Sequence, residues 1–234
     1  AKNTLVKNYR RLAERAEATV LALTAVTGVR PAPGGGYLVH TRSTDRSGGP
    51  RTMLADQVVL AAGALGTQRL LHRAKATGQL PHLSGHLGRL TRTNSEAILG
   101  ARTSRGDVDF TEGVAITSSF HPDEHTHIEP VRYGRGANAM GLLQTVLTDG
   151  GPLRPLRWQG VFLRPPLRNA RMLSVRHWSE RTVIVLVMQA LDNSLTVDYA
   201  RSWYGRRRLT TRPGHGRPSP TWIPAGNRAT RLVA

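Results

Sequence analysis

Residues 57–72, QVVLAAGALGTQRLLH, constrain the fold most. An apolar run from Val58 to Ala62 meets Gly63, Ala64 and Gly66, then passes into a helical pattern carrying Leu70 and Leu71. A strand that breaks into small residues and then a helix lets backbone approach a ligand closely, at the carboxyl end of a strand in an open α/β sheet. Side chains larger than methyl would obstruct that approach. Tight strand–helix packing alone would ask for the same small residues.

The pattern on either side sets the rest. Leu5, Tyr9, Leu12, Ala13 and Ala16 have helical spacing, predicting a helix over 3–17 capped by Asn3 or Thr4. Residues 19–29 and 37–44 read as a β-hairpin across the turn PAPGGG, with a second turn at 45–50. Residues 52–62 read as a strand and 66–77 as a helix ended by Gly78. Beyond residue 88 the character changes. Strand candidates fall at 114–120, 127–133 and 182–191, the last expected to pair antiparallel with 195–201 across a turn at 192–194. Residues 151–171 hold too many prolines for long regular structure, 212–224 read as loop and 225–234 as helix. The expected class is α/β with α+β: a nucleotide-binding part over 1–90 and a mainly antiparallel part over 91–234.

Charge adds less than it first suggests. The 234 residues carry a net charge of +18, but Lys2, Lys7 and Lys75 are the only lysines among 33 basic residues, leaving 30 arginines. Phosphate binding uses both types, so the exclusion of lysine points to a GC-rich coding sequence rather than a nucleic-acid partner. The rival is a basic module in which Arg164, Arg168, Arg171 and Arg206 to Arg208, interleaved with Trp158, Phe162, Trp178 and Trp203, bind nucleic acid. The absence of cysteine excludes disulfides, thiolate metal sites and thiol nucleophiles. No run approaches the ~18 apolar residues of a membrane span, and no apolar core follows the charges of AKNTLVKNYRRLAERA as in a signal peptide. His125, His127 and Glu129, alternating on one strand face, could ligate zinc. Pro122, the acidic turn and the lack of a second cluster argue against it, and no metal is assigned.

Several segments together resemble GMC-type flavin oxidoreductases, specifically the cholesterol-oxidase-like branch of high-GC actinobacteria. They are KNTLVKNYRRLAERA, ADQVVLAAGALGTQRLLHRAKATGQLP, TRTNSEAILGA, HIEPVRYGRGANAM, RHWSERTVIVLVMQALDNSLTV and GHGRPSPTWIPAGN. The resemblance implies a Rossmann-like FAD-binding domain over 1–90 and a sterol-binding domain over 91–234. It implies oxidation of a sterol 3-hydroxyl, with dioxygen or another acceptor taking the electrons, no nucleic acid as partner, and room for a transient membrane-surface contact. By resemblance Val26, Ala62, Gly63, Ala64 and Gly66 contact FAD and Asn94 faces its ring. Glu129 then faces the steroid, where an apolar pocket would raise its pKa and suit it to the Δ5-to-Δ4 isomerisation. Glu96 is a lesser candidate, and a surface glutamate beside Arg132 is the plain alternative for Glu129.

The departures are as informative. The family's G-x-G-x-x-G turn has no match, because a strand rather than a helix follows Gly34–Gly36. The family's His and Asn that bind the reacting oxygen have no match either. The chain is therefore expected to be an internal piece, one that aggregates or stays flavin-free when produced alone.

Overall fold

The computed structural model describes residues 4–45 and 48–234. Asn3, one of the two expected caps, and Arg46 and Ser47 of the expected turn lie outside them. The chain divides into two compact units, Ala1–Arg89 with Thr196–Arg212 and Leu90–Leu195 with Pro213–Ala234. The second stretch of the first unit falls within the range assigned from sequence to the C-terminal part.

In the first unit, helix α1 spans only Tyr9–Arg15, with the Asn8 side chain accepting from the Tyr9 N–H. Residues 4–8 form a turn in which the Thr4 carbonyl accepts from Lys7 and Asn8. No residue of α1 is buried, so the helix gains no packing and stays short. Strands β1 (Thr24–Pro31), β2 (Tyr37–Ser43) and β3 (Arg51–Ala55) form an antiparallel meander. Helix α2 (Gly63–Ala76) packs on β1. A Cβ on Gly28 would lie 2.7 Å from Gln79 Oε1, so that side chain covers the glycine next to a register shift between Val26 and Gly28.

The strand expected over 52–62 divides. β3 ends at Ala55, and Val58–Ala62 join no ladder, with Val59 88% exposed. Every ladder among the described residues is antiparallel, so the parallel, Rossmann-like sheet expected around this run is not among them. A continuous apolar run without alternation suits a strand covered on both faces, and this run has no such cover among the described residues.

The second unit holds β4 (Ser95–Arg102), β5 (Phe120–Asp123), β6 (Thr126–Val131), a 3₁₀ turn at Asn138–Leu143, helices α3 (Arg154–Phe162), α4 (Pro166–Met172) and α5 (Trp178–Arg181), and β7 (Thr182–Gln189). Strands β8 (Leu195–Arg201) and β9 (Arg207–Pro213) follow in the chain but fall almost wholly in the first unit, and helix α6 (Pro224–Val233) completes the second. The sheet order is β4-β7-β6-β5. β7 is the strong strand expected at 182–191, but β8 pairs with β9 instead of returning against it. β4 and β6 already occupy both edges of β7. The proline-rich stretch also departs from expectation. Pro155 and Pro166 stand in the first turns of α3 and α4, with Pro165 at the N-cap of α4, where a missing N–H leaves no hydrogen bond unmade.

Helix α6 lays a face of small residues, Ala225, Gly226 and Ala229, against the sheet, where Ile128, Val185, Val187 and Ile223 complete the core. A Cβ on Gly226 would stand 2.8 Å from both Val187 methyls, so helix and strand approach as closely as only glycine permits. Arg102 donates to the carbonyls of Met172, Ser174 and Arg176 and ties the helical stretch to the edge of β4.

Candidate active site

Side chains alternate across a strand, and in an antiparallel sheet the residues paired in register share a face. In the four-stranded sheet Ser95, Ala97 and Leu99 of β4, Val185 and Val187 of β7, and Thr126 and Ile128 of β6 therefore turn toward α6. The other face carries Glu96, Ile98 and Gly100, then Met188, Leu186 and Ile184, then His127, Glu129 and Val131. No helix of the unit covers this second face at Ile98, which is 70% exposed. The sequence thus builds a sheet apolar on both sides, one side packed and the other open.

Glu129 sits on that open face in register with Leu186. Its side chain is 22% exposed, and His127 Nε2 lies 3.4 Å from its Oε1. Arg132, which could have paired with it, donates instead to the Glu112 carbonyl. The His121 ring stacks on His127 with centroids 4.9 Å apart. The face therefore presents aliphatic surface beside a carboxylate whose near neighbour is an imidazole, an arrangement able to move a proton at an apolar ligand. Asn94 and Glu96 stand together at the start of β4, with Asn94 Nδ2 donating to Glu96 Oε2 at 3.0 Å. Glu96, Met188 and His127 are in register across three strands.

The zinc alternative required His125 beside His127 and Glu129. His125 instead lies in the β5–β6 turn, where its N–H donates to Asp123 Oδ1. Among the described residues no group of three or more His, Cys, Asp or Glu side chains could hold a metal ion. His121 is the neighbour that strand periodicity missed. The tight turn at Glu124–His125 was its only signal, because a hairpin there brings residues near 121 opposite 127.

Val26, Ala62, Gly63, Ala64 and Gly66 all fall in the first unit. Val26 lies in β1 and is 46% exposed. Gly63 opens α2 with φ +70°, and nothing stands within 4 Å of where its Cβ would be. Ala62, at the helix N-cap, supplies no side-chain hydrogen bond. The first N–H groups of α2 therefore point from a bend of small residues without a capping group, an arrangement that suits a flat or anionic ligand. A Cβ on Gly66 would meet the Ala62 methyl at 3.2 Å, so that glycine serves packing within the bend. Asn94 and Glu129 belong to the second unit.

The aromatic side chains expected to stack on bases are mostly engaged. Trp178 is buried, 3% exposed, and donates to Gln144 Oε1 at 2.7 Å. Trp158 and Phe162 stack on each other with centroids 5.1 Å apart. Of the four, only Trp203 is open to solvent over nearly all its surface.

No protein-family model matches the chain. Over 248 aligned positions, covering all of it, the chain is 53% identical to proteins named cholesterol oxidase from two strains of Mycobacterium tuberculosis, CDC 1551 / Oshkosh and H37Rv, and covers 42% of each. It is 38% identical over 243 positions to a protein named cholesterol oxidase from Acinetobacter baumannii, again over the whole chain and 44% of the relative. The chain spans less than half the length of the curated relatives it matches.

Proposed function

We propose that this chain forms the central portion of an FAD-dependent oxidoreductase that oxidises the 3-hydroxyl of a sterol such as cholesterol. The likeness to proteins named cholesterol oxidase supports the reaction class. The observation that carries the substrate assignment is the open sheet face, where Ile98, Leu186 and Met188 offer a flat aliphatic surface beside Glu129. A steroid nucleus is a rigid apolar plate, and an uncovered sheet face is a rigid apolar plane.

Glu129 is the group that would carry the proton from C4 to C6 of a Δ5-3-ketosteroid, moving the double bond into conjugation. His127, 3.4 Å away, would hold the carboxylate on the face and share its proton. Ala62, Gly63, Ala64 and Val26 would hold FAD, which would supply the acceptor for the two electrons of alcohol oxidation. Dioxygen or another acceptor would then take those electrons. Nucleic acid has no part in this reading.

Grafting tests it. This chain replaces the corresponding stretch of the Mycobacterium tuberculosis relative, and the chimera is purified with its flavin. A yellow protein that converts cholesterol to a 3-ketosteroid is expected. A chimera that folds and carries FAD but leaves sterol alcohols unchanged would overturn the assignment.

A further inference from the structure

A shallow cleft of about 600 Å³ lies in the second unit, away from the open sheet face. Its lining includes Arg157 from α3, Arg164 two residues past its end, Arg231 from α6, and Asp149. Three guanidinium groups face one carboxylate, and that carboxylate is already engaged. Asp149 accepts from Asn227 Nδ2 at 2.7 Å and from Arg231 Nη2 at 2.8 Å. The Asn227 hydrogen bond first, and Arg231 next, hold its pKa below the ordinary value. Arg157 spends one N–H on the Gly150 carbonyl at 3.0 Å and forms no ion pair among the described residues. The cleft keeps an excess of positive charge aimed at one volume.

Apolar side chains accompany the arginines. Val161 lines the cleft, and Leu153, Leu156, Leu163 and Leu167 are exposed on the same α3–α4 segment. From residue 150 to 179 the sequence holds six arginines and no acidic residue. A base-stacking role fits this segment poorly, because Trp158 and Phe162 stack on each other and the exposed leucines are aliphatic.

We propose that the Arg157–Arg164–Arg231 cleft binds the head group of an anionic amphiphile, with the exposed leucines of α3 and α4 taking its apolar part. A phosphate oxygen accepts from several guanidinium N–H groups at once, which is how arginine recognises such anions. Val161 and the exposed leucines of the same segment would then distinguish an amphiphile from a bare anion. This site stands independently of the sterol-oxidising function.

The test uses the flavin-loaded chimera that carries this chain and four probes: monomeric dodecyl phosphate, inorganic phosphate, vesicles of phosphatidylglycerol, and a DNA duplex. Dodecyl phosphate is expected to bind at least ~10-fold more tightly than inorganic phosphate. Arg157→Gln with Arg164→Gln should weaken it ~10-fold or more, while Arg207→Gln with Arg208→Gln, which removes the same charge from β9, should change it less than ~3-fold. Arg164→Gln alone keeps the Gly150 hydrogen bond and guards against misfolding. The same ranking on phosphatidylglycerol vesicles identifies a bilayer as the source of the head group. The ranking with dodecyl phosphate alone identifies a free amphiphile. Equal losses for both double variants, inorganic phosphate binding as tightly as dodecyl phosphate, or DNA displacing the amphiphile with the tightest affinity of the four would each overturn the proposal.

Discussion

His127 and Glu129 stand two residues apart on the uncovered face of the four-stranded sheet, Nε2 to Oε1 3.4 Å. If that carboxylate carries the isomerisation, Glu129→Gln in the flavin-loaded chimera should slow conjugation of the double bond ~10²–10⁴-fold while leaving alcohol oxidation within ~10-fold. The ultraviolet absorbance of the conjugated ketone separates the two steps. Equal loss of both would give Glu129 a general structural role instead.

Gly63 holds φ +70° with open space where a Cβ would stand. Gly63→Ala should cost about 1–2 kcal/mol from the left-handed backbone alone. If FAD approaches that bend, the chimera's affinity for FAD should fall further than its stability, read by flavin fluorescence against a urea titration. An unchanged affinity would leave Gly63 with a conformational role only.

Two glycines in helices should respond in opposite directions. Gly226→Ala drives a methyl to 2.8 Å from Val187 and should destabilise the second unit by about 1–3 kcal/mol. Gly160→Ala on α3 meets nothing within 4 Å and should stabilise by roughly 0.5–1 kcal/mol. Urea midpoints of the two variants check both signs.

Burial lowers the His72 imidazole below its ordinary 6.5, only partly offset by the Asp198 carboxylate and the Val197 carbonyl. A histidine depressed in the folded state binds its proton more readily once unfolded. The first unit should therefore lose stability as pH falls from about 6.5 toward the folded value, and the loss should level off below it. His72→Gln should flatten that window in urea titrations made on either side of it.

Val59 and Leu60 are exposed in a run that joins no ladder. The chain produced alone should elute as a high-mass species, and Val59→Lys should shift it toward monomer. A monodisperse, yellow preparation of the unaltered chain would contradict this.

What the sequence disclosed follows the range of the interactions involved. The hairpin of β1 and β2, the strong strand β7, helix α6 and the shared face of His127 and Glu129 were all legible, because alternation and helical spacing record them locally. The pairing of β8 with β9 was not, since edge occupancy of β7 depends on strands more than fifty residues away. Proline content alone reads 151–171 as broken, whereas the positions of Pro155 and Pro166 in the first turns make them helix starters. The run before Gly63 carried the composition of a doubly covered strand, and composition alone does not say what covers it. The Arg157–Arg164–Arg231 cleft joins residues far apart in sequence that share no pattern.

The closeness of Gly226 to Val187 also sets a timetable. The core of the second unit draws on β4 and on α6, so a nascent chain has made its first strand long before the helix that seals it exists. At ~5–20 residues per second the wait is on the order of ten seconds. For most of that interval β7, the strand that joins β4 to β6, is also unmade, and once it arrives the side that α6 later claims stays bare until the helix follows.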